Sequence, residues 1–394
     1  MLPFIKREVR KVKTKIICIL VMTLLITTTI TVVGTTNNKE DVTVKPMSNN
    51  TVVWSDNFDF YLLGQFLDGD PEDGGWEICD CPYESEGAYV VDNQSLSNPH
   101  SVEIVGKADI IHRFTGIRSG NWTFTEWVYV PAESSCTSAF ALDSYRPPIW
   151  KNELVFRQLA IYFDGENGLV ESYSTGESLP LITDQWIEFR IEFDLEADWL
   201  ECYYNDELLI EKVWSEDIIA GTGFRNLACL TLCYQTFNSM ETPHYHDDFS
   251  IVGEVTGSVP DLSCDGSIIL DKVIPGSTVK GSFFVENIGE PNSRLEWIVE
   301  EYPEWGSNWK SQPFKGMLTP EDDPLTVEVS FKAPNEQNKE FTGVIKVVAV
   351  GDPDDFYEIP VGVKTPRNKA INNPFLIRLQ SHPNLFPLLQ KLIL

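Results

Sequence analysis

The chain has 394 residues, of which 42% are hydrophobic and 12% aromatic, and its formal net charge is −29. This length allows two or three domains with their own cores, and so many aromatic residues favour β-sandwiches. Because nucleic-acid binding needs a basic surface and anionic lipid repels an acidic one, the charge argues against both partners.

The first 34 residues combine a basic start with an apolar run. Lys6, Arg7 and Arg10 precede residues 16–33, which carry no charge. This is the pattern of an export signal, and the run is also just long enough to span a membrane. The sequence therefore predicts an N-terminal hydrophobic helix. We favour a cleaved signal peptide over a retained anchor, and either one places the rest of the chain outside the cell. The polar residues 35–50 are predicted to form a linker.

Residues 51–254 are predicted to form one all-β domain. Short apolar runs alternate with Gly, Pro, Asn and Asp, and no segment has helical periodicity. So many strands do not fit one open sheet, so we expect two packed sheets. Strands are predicted near residues 52–56, 89–91, 101–104, 110–114, 122–130, 138–142, 154–163, 169–173, 186–194, 199–204, 208–214, 224–232 and 246–252.

The clearest strand pattern runs from Leu181 to Trp214. Apolar and polar residues alternate strictly over residues 186–194, which predicts a strand with one buried face. Two further strands follow, joined by a tight turn at Asn205 and Asp206, both of which tolerate left-handed backbone.

The phrases DQW (184–186) and YYNDELL (203–209) in this stretch resemble concanavalin A-like lectin/glucanase domains of the laminin-G-like branch. Those families usually have Asn-Gly at the second turn, where this chain has Asp206. The resemblance covers residues 52–254 and implies a jelly-roll β-sandwich. It does not choose an activity, because this fold carries both lectins and hydrolases.

Residues 255–366 are predicted to form a smaller β-domain, with strands near 278–287, 295–300, 325–332, 341–350 and 357–363. The phrase PGSTVKGSFFVENIGEP (275–291) resembles immunoglobulin-like domains that follow lectin or catalytic modules in prokaryotic cell-surface proteins. Residues 367–394 form an apolar tail interrupted by Pro383 and Pro387, too broken to span a bilayer as one helix. We expect the tail to pack on a domain or partner, or to lie at a membrane surface.

The chain has eight cysteines, and export would permit disulfides. Cys229 and Cys233 are four residues apart on one predicted strand. At about 13 Å they are too distant to bond to each other. Cys264 stands alone in the second domain and is predicted to be a thiol. The connectivity of the others stays open.

Acidic residues at the two ends of the first domain suggest a structural calcium site. First and last strands often lie side by side in such sandwiches, and calcium prefers six to eight oxygen ligands. We therefore predict Asp56, Asp59 and Asp248 as metal ligands, with solvated strand-end carboxylates as the alternative. His244 and His246 share a strand face and suggest a transition-metal site with Asp248, but a structural role is favoured for them.

Glu196, Asp198 and Glu201 fit the spacing E-x-D-x-x-E, which resembles the catalytic motif of laminarinase-type glycosidases. That chemistry needs two carboxyl groups about 5 Å apart, alternating on one strand. Here the motif falls on the turn between two predicted strands, so solvated turn carboxylates are favoured and no catalytic residue is assigned.

Sugar binding needs aromatic side chains with polar neighbours on one sheet face. The side chains predicted to line such a face are Trp127, Tyr129, Gln158, Tyr162, Trp186, Glu188 and Arg190. The alternative is that several of them fill the core.

These observations favour an exported surface protein that recognises extracellular polysaccharide or glycoprotein without catalysis. A glycoside hydrolase or lyase on the same fold and a purely structural envelope protein are the alternatives. Membrane contact is expected only through the N-terminal segment or the C-terminal tail.

Overall fold

The computed structural model describes residues 51–69, 74–79, 85–147, 154–218, 221–234 and 242–367. The predicted N-terminal helix, the linker up to residue 50 and the apolar tail from residue 368 lie outside these ranges. Within them the chain forms strands and turns and no α-helix, which confirms the predicted all-β fold. None of this described part offers a helix long and apolar enough to cross a membrane.

In the described ranges up to residue 254, eighteen strands build the first sandwich. They are β1 (Thr51–Asp56), β2 (Phe66–Leu67), β3 (Trp76–Ile78), β4 (Ala88–Val91), β5 (Ser101–Ile104), β6 (Asp109–Ile117), β7 (Asn121–Tyr129), β8 (Thr137–Tyr145), β9 (Phe156–Asp164), β10 (Leu169–Ser172), β11 (Ser178–Pro180), β12 (Trp186–Asp194), β13 (Trp199–Tyr204), β14 (Glu207–Val213), β15 (Glu216–Asp217), β16 (Gly221–Thr222), β17 (Leu227–Tyr234) and β18 (His244–Glu254).

Two large sheets make up this sandwich. The nine-stranded sheet has the order β14-β13-β12-β7-β18-β5-β4-β2, with β1 paired to β18. The seven-stranded sheet has the order β11-β10-β9-β8-β17-β6-β3. Among the described strands, the short β15 and β16 pair only with each other.

The inner faces of the two sheets share one hydrophobic core. Phe124 of β7 and Phe189 of β12 meet Phe140 of β8, with ring centroids 5.3 and 5.0 Å from Phe140. All three are fully buried, and burying a side chain of this size stabilises the fold by roughly 1.5–3 kcal/mol. Since successive side chains of a strand alternate between faces, this core fixes which residues point outward.

The predicted meander is present. Strand β12 pairs with β7 on one side and with β13 on the other. Asn205 and Asp206 have φ angles of 52° and 61°, which is the left-handed pair that a two-residue hairpin turn requires. Asp206 thus adopts at this turn the conformation that glycine usually supplies.

Nine strands between residues 255 and 367 form a second, smaller sandwich. They are β19 (Leu262–Asp265), β20 (Ile268–Leu270), β21 (Thr278–Asn287), β22 (Leu295–Glu301), β23 (Ser307–Gln312), β24 (Lys315–Leu318), β25 (Leu325–Lys332), β26 (Glu340–Ala349) and β27 (Asp352–Lys364). They form a four-stranded sheet, β19-β21-β25-β23, and a five-stranded sheet, β20-β27-β26-β22-β24, in which β20 and β27 run parallel. Trp297, Phe283 and Phe331 belong to their common core. The immunoglobulin-like assignment of this domain stays a prediction.

Candidate functional site

The outer face of the nine-stranded sheet brings together five of the predicted ligand-binding side chains. On β7, Trp127 and Tyr129 alternate with the buried Phe124 and Val128 and therefore point away from the core. On β12, Trp186 lies opposite Tyr129 and Glu188 lies opposite Trp127. Arg190 follows on the same face, and all five side chains are partly exposed. We call this the aromatic face.

Gln158 and Tyr162 do not belong to the aromatic face, so the prediction of one shared face is wrong for them. Both lie on β9, in the seven-stranded sheet. Gln158 is fully buried, and its Oε1 accepts a hydrogen bond of 2.6 Å from the backbone N–H of Ser144. Strand periodicity assigns a side chain to a face, but it does not assign the strand to a sheet.

Tyr245 extends the aromatic face on the neighbouring strand β18. The Tyr129 ring lies 5.6 Å from the Trp186 ring and 6.1 Å from the Tyr245 ring, so the three form a continuous row. Tyr245 is mostly buried and supports Tyr129 from the side. Tyr245 was not among the predicted ligand-binding residues, although its alternation with His244 and His246 indicated that it faces away from them.

A loop between β4 and β5 supplies amide groups at one end of this row. The side-chain N–H of Asn93 donates to Tyr245 Oη at 3.2 Å, and Gln94 lies close enough to Tyr129 to oppose the rise in the pKa of its hydroxyl. The pKa of Tyr129 is raised, mainly by burial and then by the charges of Asp184 and Glu133. Tyr129 therefore stays a neutral hydroxyl that can donate a hydrogen bond.

Asp247 holds this loop against the sheet. Its Oδ2 accepts hydrogen bonds from the backbone N–H groups of Leu96 (2.8 Å) and Ser97 (3.2 Å), and its Oδ1 accepts one from Asp248 (2.7 Å). Burial raises the pKa of Asp247 to about 7, against the lowering effect of these amides. The anchoring positions Asn93 and Gln94 beside the tyrosines before any ligand binds.

Arg190 is already engaged by acidic neighbours. Its guanidinium contacts Glu188 (2.9 Å), Asp206 (2.9 Å) and Glu192 (3.1 Å), and it lies 4.8 Å over the Tyr203 ring. Exposed ion pairs add little stability individually. Their effect here is to fix the orientation of Glu188 rather than to leave Arg190 free for a ligand.

The carboxylates of the E-x-D-x-x-E stretch have separate structural partners. Asp198 has a left-handed backbone (φ 59°) in the β12–β13 turn and accepts hydrogen bonds from Ser215 N (2.8 Å) and Ser215 Oγ (2.7 Å). Glu196 is 3.6 Å from Arg294, and Glu201 accepts a hydrogen bond from Tyr203 Oη. Asp198 therefore acts as a turn anchor.

The predicted calcium ligands lie near the end of β1, where Asp56 pairs with Phe249 in the middle of β18. Asp56 accepts hydrogen bonds from Phe58 N (3.0 Å), Tyr61 Oη (2.6 Å) and Trp76 Nε1 (2.9 Å). Asp59 accepts from Asn57 Nδ2 at 2.7 Å. Across the described ranges, no three His, Cys, Asp or Glu side chains are grouped as a metal ion requires. The calcium site stays a prediction.

No protein-family model and no curated protein matches this chain. Among solved structures, it is similar to a sialidase (6% identity, TM-score 0.33, covering 50% of this chain and 18% of that one). It is also similar to arcelin-5, a lectin-like defence protein from Phaseolus vulgaris (7% identity, TM-score 0.31, covering 52% and 100%). A third similar structure is the carbohydrate recognition domain of Emp47p (11% identity, TM-score 0.30, covering 49% and 95%).

Proposed function

We propose that this protein recognises a carbohydrate through the aromatic face, without catalysis. The observation that carries the proposal is the row of Trp186, Tyr129 and Tyr245, with rings 5.6 and 6.1 Å apart and the amides of Asn93 and Gln94 at one end. Sugar rings present apolar C–H faces that stack on aromatic rings, and their hydroxyl groups need nearby donors and acceptors. Partly exposed aromatic groups with a few fixed polar neighbours are the usual form of such a site.

The proposed ligand is an extracellular polysaccharide or glycoprotein. This choice depends on the predicted export of the chain and on its net charge of −29, which disfavours nucleic acid. The carboxylate of Glu188, held by Arg190 at 2.9 Å, lies two residues from Trp186 on the same strand face and can accept a hydrogen bond from a sugar hydroxyl.

The test is the variant Trp186→Ala in a glycan-array screen, followed by titration of the best ligand. We expect an affinity loss of about tenfold or more, because a stacking ring is worth roughly 1.5 kcal/mol or more once its buried area is included. Since Trp186 is only partly buried, the melting temperature should change little.

Trp199→Ala is the matched control. Trp199 is 37% exposed on the same sheet, but it lies on β13 away from the tyrosines. The Trp199→Ala variant should bind the glycan with the affinity of the parent protein. A Trp186→Ala protein that binds normally would refute the proposal, and so would release of reducing sugar by the parent protein, which would indicate a hydrolase.

A further inference from the structure

The outer face of the seven-stranded sheet carries a cluster of arginines that the proposed function does not use. Inward-facing Phe140, Leu142 and Leu159 belong to the core, so Ala141 and Asp143 of β8 point outward. Ala160 and Arg157 of β9 lie opposite them in register. Ala141 and Ala160 are buried, so this face is recessed between longer side chains.

Asp143 joins two arginines at the centre of the cluster. Its Oδ2 accepts a hydrogen bond from Arg146 Nε at 2.9 Å, and its Oδ1 accepts one from Arg157 Nε at 2.8 Å. Burial alone would raise the pKa of Asp143, but Arg157 and Arg146 hold it below its usual value. The carboxylate is therefore ionised and orients both guanidinium groups.

The two arginines differ in the hydrogen-bond donors that they leave available to a ligand. Arg146 is almost fully buried, and it also contacts Cys79 Sγ (3.0 Å) and Thr231 Oγ1 (3.4 Å). The Arg157 side chain is 22% exposed and is engaged only through Nε. Within the described ranges, no group accepts a hydrogen bond from either of its Nη atoms. A partly desolvated guanidinium edge without acceptors is costly unless a ligand or water satisfies it.

The sheet face that carries Arg157 also carries a second aromatic pair. Tyr162 lies two residues beyond Ala160 on the same face, and its ring centroid is 5.6 Å from that of Tyr173. Tyr173 is 58% exposed. Burial and the nearby Tyr173 raise the pKa of Tyr162, while the charge of Arg157 opposes that shift. A neutral phenol and an exposed ring therefore lie on the same sheet face as Arg157, and Tyr162 is close enough for the charge of Arg157 to act on it.

A second carboxyl group, Asp109 of β6, lies close enough to Arg146 and Arg157 for their charges to act on it. It accepts a hydrogen bond from Ser85 Oγ at 3.3 Å and none from either arginine. Burial raises the pKa of Asp109 to about 6, against the charges of Arg146 and Arg157. Asp109 therefore does not occupy the Nη edge of Arg157.

We propose that Arg157, oriented by Asp143 and on the same sheet face as Tyr162 and Tyr173, binds the carboxylate of an acidic sugar such as a uronate. Two parallel N–H groups of a guanidinium match the two oxygens of a carboxylate. The tyrosine rings give the sugar an apolar surface to rest on. This site lies on the opposite sheet from the aromatic face and does not depend on the function proposed for that face.

The experiment titrates the full chain with glucuronate, glucose and sulfate, each observed by calorimetry or NMR. We expect glucuronate to bind and glucose to bind at least tenfold more weakly. Arg157→Gln should reduce glucuronate affinity about tenfold or more, because a charge-assisted hydrogen bond is lost. Arg157→Lys keeps a positive charge beside Asp143 but lacks the planar fork, so it should fold and lose several-fold affinity.

Arg225→Gln is the matched control, since its guanidinium is 33% exposed and paired with Asp198 at 3.5 Å. It should leave glucuronate binding unchanged. The proposal is overturned if glucose and glucuronate bind equally, or if folded Arg157→Lys binds glucuronate as the parent does. If the protein bound sulfate but not glucuronate, the assignment to a sugar would be overturned, because the site would then recognise negative charge alone.

Discussion

At the scale of single residues, the interior of the first sandwich contains polar groups that the sequence suggested as metal ligands. His244 and His246 share the inner face of β18, as their spacing predicted, but each has its own partners. The ring of His244 hydrogen-bonds to Ser138 Oγ (2.7 Å) and Ser134 Oγ (2.8 Å). His246 Nδ1 lies 3.4 Å from Glu126 Oε2. These contacts support the structural role that was favoured for His244 and His246 over a transition-metal site.

The burial of His244 predicts a specific dependence of stability on pH. Burial, with a smaller effect from His246, lowers the pKa of His244 to about 3 from an ordinary value of 6.5. Between these values only the unfolded chain takes up the proton, so stability falls as the pH decreases below 6.5. At pH 5 this one group should lower the free energy of unfolding by about 2 kcal/mol relative to pH 7.5.

The variant His244→Gln isolates this contribution. It loses hydrogen bonds and should be destabilised at pH 7.5, but it cannot be protonated. Its deficit relative to the parent should therefore shrink by about 2 kcal/mol at pH 5, as measured by urea unfolding at both pH values. An equal deficit at the two values would show that His244 does not titrate as its burial implies.

At the scale of elements, the long alternating strands could be predicted from sequence and the short ones could not. Residues 186–194 and 199–204 were predicted with the bounds that the structure has, because each buries one face and repeats every second residue. Strands such as β2 (Phe66–Leu67) and β15 (Glu216–Asp217) have two residues each, too few to show a period. Strand β2 forms because the longer strand β4 offers it hydrogen-bonding partners, and β15 forms by pairing with the equally short β16.

The assignment of strands to sheets explains why Gln158 and Tyr162 were wrongly predicted to share a face with Trp186. Tyr162 alternates on β9 as Trp186 does on β12, but pairing partners distant in sequence place the two strands in different sheets. The Asp143–Arg157 contact escaped sequence analysis for a related reason. Register shifts occur in the pairing of β8 with β9 around Asp143, and such irregularities have no signature in one sequence.

The pairing of β1 with β18 gives the calcium proposal its test. If Asp56, Asp59 and Asp248 hold an ion in the folded state, a chelator should lower the melting temperature and added calcium should restore it. Asp248→Ala should abolish this response. Glu211→Ala, an exposed carboxylate on β14, is a control that should keep it. A melting curve that does not move with excess chelator would eliminate the ion and leave Asp56 as an acceptor for Tyr61 and Trp76.

At the scale of the whole molecule, the two sandwiches share a third, smaller apolar cluster. Tyr145, Phe156 and Phe224 of the first sandwich pack with Ile298 and Val348 of the second. The described residues between 51 and 367 accordingly belong to one compact unit. Because a buried apolar contact joins them, the two sandwiches are expected to move together rather than independently about a flexible linker.

A buried hydrogen bond at this junction predicts coupled unfolding. The hydroxyl of Tyr145 donates to Glu300 Oε1 at 2.5 Å, and Lys346 Nζ lies 2.6 Å from Glu300 Oε2. Burial and the Glu300 charge raise the pKa of Tyr145, so the hydroxyl stays protonated and can donate. In Tyr145→Phe the buried carboxylate loses a donor, which should cost about 1–3 kcal/mol.

Differential scanning calorimetry of the full chain measures both the coupling and the cost. The parent protein should unfold in a single transition, and Tyr145→Phe should lower its midpoint or split it in two, because the bond spans the junction. Tyr173→Phe removes a hydroxyl from an exposed ring on the first sandwich and should leave the midpoint unchanged. Two separate transitions in the parent would mean that the sandwiches unfold independently. The shared cluster would then be too weak to transmit the loss of the Tyr145–Glu300 bond from one sandwich to the other.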